Sequence, residues 1–230
     1  MKITLTPRSS IALLFLSFLM QETHELAHTG VGRLICGCWG RRNFNLWTLC
    51  SGCSKEKPHA ILATYAGPAY SFLVIWIGYY LLTRTSARSK SVGLALIVSS
   101  MPFSRLLTPI FGGGDEVFAL KTHLNNHTLA WILAVILVLT LAIPPCIRLW
   151  REIGNQRKAW WFAGLIFVPF LMTGAVVFGI LQTLLLGNGV LTDYWIIGSP
   201  TLVSVWLIVC VTVCIIFGSS LTTLLQPKRV

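Results

Sequence analysis

The stretch IALLFLSFLMQETHELAHTGVGRLI, residues 11–35, places two histidines and two glutamates directly behind a ten-residue run that is apolar except for Ser17. About 20 such residues cross the hydrocarbon of a bilayer as a helix. Ionisable residues inside such a segment are costly and are usually functional. The stretch therefore predicts a long first membrane-spanning helix with a polar cluster in its later half.

The N-terminus allows a second interpretation. The basic start MKITLTPRSS, residues 1–10, followed by a short apolar run, is similar to a secretory signal peptide. No clear A-x-A cleavage site follows before the histidines. A helix that continues through the histidines is therefore the favoured interpretation.

The composition of the whole chain is that of a membrane protein. Of 230 residues, 55% are hydrophobic and only 11% are charged, whereas a soluble domain averages about 25% charged residues. Six apolar segments are long enough to span a bilayer. They cover residues 11–35, 60–83, 91–112, 128–147, 159–186 and 199–225. We expect an all-α, multi-pass integral membrane protein with about six transmembrane helices embedded in the lipid bilayer.

The net charge of +11 indicates sidedness rather than nucleic-acid binding, because the basic residues lie mostly at segment ends and form no long run. With six spans, the loops alternate between two sides of the membrane. The side with both termini carries eleven Lys and Arg residues and the other carries six. The positive-inside rule therefore favours cytoplasmic termini.

The pentapeptide HELAH, residues 24–28, fits the pattern H-E-x-x-H. On a helix, residues four apart lie on one face. Two imidazoles in that arrangement can bind one Zn²⁺, and the glutamate between them can act on a bound water. His24 and His28 are the candidate ligands, and Glu25 is the candidate catalytic base. The alternative is a polar face packed against neighbouring helices.

A catalytic zinc site needs a third protein ligand. Asp115 is the best candidate, because it closes the third apolar segment on the side towards which the first segment carries its histidines. The three glycines before it, residues 112–114, let the backbone approach the site. Glu116 is the reserve ligand. The alternative for Asp115 is a solvent-exposed carboxylate at a helix end.

Three motifs together resemble the site-2 proteases, which are intramembrane zinc metalloproteases. They are HELAH in the first segment, YAGPAYSF (residues 65–72) at the start of the second, and TPIFGGGDE (residues 108–116) at the end of the third. The resemblance covers roughly residues 11–120. It implies a three-helix core that binds zinc through two histidines and an aspartate.

In that resemblance, His24, His28 and Asp115 bind zinc and Glu25 is the base. Ser71 stands where the family's G-P-x-x-N element has asparagine. The family tends to place its site nearer the cytoplasm, whereas the charge count puts the side of Asp115 outside. The orientation of the site therefore stays open.

Four residues near the motifs are candidates for orienting a ligand or contacting a substrate: Glu22, Ser71, Arg105 and Glu116. Glu22 either orients a ligand or faces a water-filled cleft. For Arg105, a side chain that snorkels towards the interface is the favoured interpretation. An ion pair or a substrate contact near the site is its alternative.

Four cysteines follow the first segment in a loop that we place at residues 36–58. Cys36, Cys38, Cys50 and Cys53 form C-x-C and C-x-x-C pairs around WGRRNFNLW, which predicts a short hairpin. Such a hairpin would bring the pairs together. They could hold a second, structural zinc ion, form two disulfides in an oxidising compartment, or stay free.

We therefore expect residues 1–125 to form a zinc metalloprotease-like core of three helices and residues 126–230 to form an accessory three-helix bundle. The predicted reaction is hydrolysis of a peptide bond in a membrane protein or peptide substrate, with no nucleic-acid partner. The alternative is a non-catalytic metal-binding membrane protein, such as a sensor, transporter or scaffold. A lipid or small amide substrate is a second alternative.

Overall fold

A computed structural model describes residues 1–53 and 57–226. Five helical stretches in the described part of the chain are long and apolar enough to cross a membrane. They are His59–Thr83, Ala87–Ile110, His127–Glu152, Lys158–Leu186 and Thr201–Thr223. The prediction of a helical chain with membrane-length segments is confirmed. The first predicted span, residues 11–35, is helical but is not among these five.

The individual elements have the following bounds. The helices are α1 (Pro7–Cys36), α2 (Leu62–Thr83), α3 (Ala87–Ser99), α4 (Pro102–Ile110), α5 (Asp115–Leu124), α6 (His127–Glu152), α7 (Lys158–Thr173) and α8 (Thr201–Phe217). Short 3₁₀ turns occupy Pro58–Ile61 and Gly218–Thr223, and α7 continues as a π-helix over Gly174–Leu186. The strands β1 (Lys2–Ile3) and β2 (Leu225–Gln226) pair antiparallel.

Helix α1 is continuous from the apolar run into the polar cluster. Thr6 caps its first turn by accepting a hydrogen bond from the Ser9 amide, and Pro7 occupies the first helical position, where a missing N–H costs nothing. The helix ends at Gly37, whose left-handed backbone lets its N–H donate to the Arg33 carbonyl. The structure thus has the continuous helix rather than a short apolar region that ends before the histidines.

Helix α1 packs against α2, α3, α7 and α8, which enclose its polar face as well as its apolar face. The buried residues of α1 include Ser17, Gln21, Glu22, His24, Glu25, His28 and Thr29. Helices α2 and α3 also approach each other closely, since a Cβ at Gly78 would lie 2.8 Å from the Gly93 carbonyl oxygen. Small residues of this kind allow close backbone packing between membrane helices.

The third predicted span is divided into two helices. Helix α3 ends at Ser99, Met101 adopts a left-handed backbone with φ of 47°, and α4 begins at Pro102. Proline is well suited to a first helical position, but it cannot donate the N–H that a continuous helix needs. The break therefore separates α4, which faces the polar cluster of α1, from α3.

The paired strands β1 and β2, near the two ends of the described residues, lie together with the loop between α6 and α7. The Ile3 amide donates to Asn155 Oδ1 at 2.7 Å, and the Gly154 amide donates to the Met1 carbonyl at 2.7 Å. Glu152 nearby forms ion pairs with Lys90 at 2.8 Å and Arg148 at 2.7 Å. Helix α1 begins near these contacts, and the cysteines lie at its other, C-terminal end.

Residues 37–53 form a loop that we call the disulfide loop. Two disulfides, Cys36–Cys53 and Cys38–Cys50, join it to itself and to the end of α1. Arg42 pairs antiparallel with Trp47 around a tight turn, which confirms the predicted hairpin. Of the three alternatives for these cysteines the structure has disulfides, so their sulfurs are not available as structural zinc ligands. Residues 54–56 of the predicted loop lie outside the described residues.

Candidate metal centre

Three predicted ligands converge on one point between α1 and α5. The Nε2 atoms of His24 and His28 are 3.2 Å apart. Asp115 Oδ2 lies 3.4 Å from the His24 nitrogen and 3.3 Å from the His28 nitrogen. Both histidines are buried, and Asp115 is partly buried. These three side chains form a group that could hold a metal ion.

The outer nitrogens of both imidazoles are held by α2. His28 Nδ1 lies 2.7 Å from the Ala63 carbonyl oxygen, which can only accept, so Nδ1 carries the proton and Nε2 presents its lone pair. His24 Nδ1 lies 2.9 Å from Ser71 Oγ. Partners of this kind fix the orientation of metal-binding imidazoles. Ser71, predicted as a substrate contact or an orienting residue, contacts a candidate ligand.

Gly67 allows α2 to lie directly against the two histidines. A Cβ at this position would lie 2.6 Å from His24 Cε1 and would overlap His28 Nε2. Real Cβ atoms do not approach other atoms so closely. Gly67, the glycine of the G-P-x-x-N element, is therefore required by the position of the imidazoles.

Asp115 is the first residue of α5, and glycines with positive φ bring it into position. Gly112 has φ of 78° and Gly114 has φ of 91°, conformations that side-chain-bearing residues rarely adopt. Burial alone would raise the pKa of Asp115, but the neighbouring imidazoles of His24 and His28 outweigh it and lower the pKa. The carboxylate is therefore charged and suited to a cation.

Glu25 and Glu116 line the same cleft without belonging to the three-ligand group. Glu25 Oε1 accepts a hydrogen bond from Gln21 Nε2 at 3.3 Å, while its buried Oε2 has no partner among the described residues. Glu116 is also buried, and one of its oxygens has no partner there. Burial raises the pKa of Glu116, and the charge of Arg105 opposes the rise. Asp115, and not the reserve ligand Glu116, faces the histidines.

The cleft in front of the group has a volume of about 1050 Å³. Helix α1 forms one wall, the disulfide loop a second, and α4 with α5 a third. Trp47 of the disulfide loop stacks on the His28 ring, with 4.6 Å between ring centroids and 9° between planes. The loop therefore covers part of the candidate site and rests on one of its ligands.

Arg105 of α4 also reaches the group. Its Nη1 lies 3.3 Å from His24 Nε2, and the side chain lines the cleft. The favoured prediction, a side chain that snorkels towards the interface, is wrong, because the guanidinium is directed to the histidines. The alternative, a position near the site, is what the structure has.

Glu22 has neither of its predicted positions. It is fully buried and forms an ion pair with Arg42 Nη1 at 3.1 Å, so it contacts no candidate ligand and does not line the cleft. Arg42 also donates through Nε to Ser199 Oγ at 2.7 Å. A carboxylate buried in a span needs a charged partner. The position of Glu22 inside the predicted first span was therefore a signal that an arginine of the loop pairs with it.

Arg42 and Trp47 are two residues at or near the site that the sequence did not single out. Both belong to the disulfide loop, whose composition indicated only a hairpin. Comparison of the chain with protein-family models, with curated proteins and with solved structures finds no match. The function proposed below therefore rests on the residues and their geometry.

Proposed function

We propose that the protein is an intramembrane zinc metalloprotease, similar to the site-2 proteases, that hydrolyses peptide bonds of membrane-associated proteins. The observation that carries this proposal is the convergence of His24, His28 and Asp115 in an open cleft that Glu25 also lines. Glu25 lines that cleft and has one carboxylate oxygen without a partner among the described residues, as a base that acts on a water molecule would.

The donor set supports zinc. Two histidines and one carboxylate, with a fourth position left for water, are a ligand set of catalytic zinc sites. Atoms about 2.0–2.1 Å from a tetrahedral zinc ion lie roughly 3.3 Å from one another. The three ligand atoms here are 3.2, 3.3 and 3.4 Å apart. A bound zinc ion would polarise the substrate carbonyl and lower the pKa of the attacking water.

Glu25 is the base in this proposal. As the oxygen of a water molecule bonds to the carbonyl carbon of the substrate, Glu25 takes the proton of that water. It then returns the proton to the departing nitrogen when the C–N bond breaks. Gln21 orients one carboxylate oxygen of Glu25 and leaves the other without a partner among the described residues.

The proposal includes a sixth membrane crossing by α1. This helix is too polar to stand alone in lipid, but neighbouring helices bury its ionisable residues. Together with the five apolar spans it gives six crossings, with both termini on one side. A helical substrate must unwind locally before its scissile bond is accessible, because its backbone is fully hydrogen-bonded.

We also propose that the cleft opens on the side opposite the cytoplasm. Two disulfides lie in the loop that covers the cleft, and disulfides persist in oxidising compartments. The excess of Lys and Arg on the side of the termini favours the same orientation. This differs from the cytoplasmic placement that the resemblance implies.

Thiol labelling of whole cells tests this orientation. The Cys38→Ser variant frees the thiol of Cys50, and a membrane-impermeant maleimide should label it without permeabilisation. Labelling that requires permeabilised cells would reverse the proposed orientation.

The first test of the function is zinc content by mass spectrometry, for protein purified in detergent. We expect about one zinc per chain in the wild type and substantially less in His24→Ala, because the site loses a ligand. His127→Ala, at an exposed histidine outside the group, is the matched control and should keep its zinc. Equal zinc in wild type and His24→Ala would remove the basis of the proposal.

Cleavage of fluorescein-labelled casein, an unstructured chain, tests the activity itself. Glu25→Gln should keep zinc and lose about 10²–10⁴-fold of the rate, since it removes the general base. A wild type that binds zinc but cleaves no casein or membrane-protein substrate would point to the sensor, transporter or scaffold alternative.

A further inference from the structure

The position of Arg105 is not explained by metal binding alone. A guanidinium remains charged, offers only donors and cannot be a metal ligand. Arg105 nevertheless lies among the candidate ligands, with Nη1 3.3 Å from His24 Nε2. Within residues 1–53 and 57–226 it forms no ion pair with a carboxylate within 4.0 Å. Its positive charge is therefore directed at the cleft and not neutralised by a direct partner.

The contact between Arg105 and His24 is incompatible with a metal on the same nitrogen. His24 Nδ1 is engaged by Ser71, so Nε2 is the atom that faces the group. Its single lone pair can accept from Arg105 or bind a metal, but not both. A metal at this position would therefore release the guanidinium into the adjoining cleft, with its N–H donors free.

We propose that Arg105 is a catalytic residue that donates hydrogen bonds to the oxyanion formed when the peptide carbonyl is attacked. The proposal rests on the proposed protease function. Donors directed at a developing negative charge in a site that excludes water are among the largest contributors to catalysis. Ser71 is engaged with His24 Nδ1, which leaves Arg105 as the positively charged donor nearest to the ligand atoms.

The movement of charge during the reaction explains why a positively charged donor such as Arg105 is useful beside the carbonyl oxygen. The water oxygen forms a bond to the carbonyl carbon, its proton goes to Glu25, and the C=O electron pair moves onto the carbonyl oxygen. Arg105 balances this new negative charge. The electron pair on the oxygen then reforms the C=O bond, the C–N bond breaks, and the nitrogen takes the proton from Glu25. The products are a carboxylic acid and an amine, and no further reactant is needed.

Distance favours the oxyanion over a terminal carboxylate as the partner of Arg105. The carboxylate at the end of a substrate lies at least one residue, about 3.8 Å, beyond the scissile bond. Arg105 instead reaches the metal-facing nitrogen of His24 itself. Released from that nitrogen by a metal, its guanidinium would still lie beside the ligand atoms and so close to the reacting carbonyl rather than one residue away.

The test uses full-length Arg105→Gln and Arg105→Lys, with Arg88→Gln at an exposed arginine of α3 as the matched control. We expect Arg105→Gln to keep about one zinc per chain and to lose about 10²–10³-fold in kcat on casein, with KM changed by less than about threefold. Arg105→Lys should recover part of kcat because it restores the charge.

A binding measurement gives a readout independent of turnover. Phosphoramidon carries a tetrahedral phosphoryl group on a Leu-Trp dipeptide, and unmodified Leu-Trp is its control. Arg105→Gln should weaken calorimetric binding of phosphoramidon by a factor similar to the loss in kcat and leave binding of Leu-Trp unchanged.

Three results would overturn the role of Arg105: unchanged kcat in Arg105→Gln, loss of zinc in that variant, or a rise in KM alone. The last would assign Arg105 to substrate binding. Failure of the protease function is distinguishable, because the wild type would then cleave nothing and Glu25→Gln would behave like the wild type.

Discussion

The helices before residue 125 and those after it differ in what they bury. Within an apolar 18-residue window of each membrane-length stretch, 44% of residues are buried in His59–Thr83 and 56% in Ala87–Ile110. The shares are 28%, 33% and 22% in the three later stretches. The early helices bury a larger share of their surface against protein, while the later ones present more large apolar side chains at the surface, as a lipid-facing bundle would.

The difference shows how a polar helix can be kept at membrane depth. Helix α1 carries its ionisable residues inside a ring of other helices, and most of their polar atoms have specific partners. The later helices have no comparable polar cluster among the described residues. The predicted division into residues 1–125 and 126–230 stays a prediction, and this contrast gives it a physical basis.

The largest expected effect comes from breaking the buried ion pair of the early half. Arg42→Met removes the partner of Glu22 and leaves a charge with no exposed surface. Removal of one member of a buried pair costs about 3–5 kcal/mol. Thermal unfolding in detergent should show a correspondingly lower midpoint.

Arg41→Ala, at the exposed neighbouring arginine, is the control for the loop. Its contact with the Tyr194 ring is worth about 0.5–1 kcal/mol. Equal destabilisation by both variants would mean that the buried pair has no special role.

A smaller effect is expected from Gly67→Ala, which tests the close approach of α2 to the histidines. The added Cβ overlaps His28 Nε2, so the imidazoles must move. Displaced ligands should weaken zinc binding by about 10–100-fold, or about 1.4–2.8 kcal/mol. Competition with a zinc-binding dye would measure the loss.

Gly164→Ala in α7 provides the matched control, since a Cβ there meets no atom within 4 Å. It should bind zinc like the wild type. Wild-type zinc affinity in Gly67→Ala would show that the helices can separate without cost.

The smallest effect is expected on the surface of the later half. Ile215 of α8 is 77% exposed, so Ile215→Ala should change the unfolding free energy by less than about 0.5 kcal/mol. Val203→Ala, at a fully buried residue of the same helix, should cost about 1–3 kcal/mol through lost packing. A larger effect at Ile215, measured by denaturant unfolding, would mean that this face contacts protein.

Hydropathy predicted much of the helical framework, because segment length and apolarity are local properties. The segment predicted at 159–186 corresponds to Lys158–Leu186, and that at 128–147 lies within His127–Glu152. The break at Met101 was missed, although the following proline was a visible signal for it. The hydropathy of an apolar segment is the same whether the segment forms one helix or two.

The histidine pair was predictable because its spacing is local, and Asp115 was predictable from its place at the end of an apolar segment, whereas other contacts between distant residues were not. The spacing of His24 and His28 lies within one helix, so the sequence shows it. The partnership of Glu22 with Arg42, and the direction of Arg105, depend on how separate elements pack. Such contacts leave no periodic pattern in the chain.

The stacking of Trp47 on His28 links two parts of the molecule thermodynamically. An indole face is electron-rich and favours a positively polarised ring above it. A metal on His28 would polarise the imidazole in that sense and so strengthen its contact with the disulfide loop. Linkage requires the converse to the same extent: a loop that rests on His28 would raise the affinity for the metal, and a loop moved away from His28 would lower it.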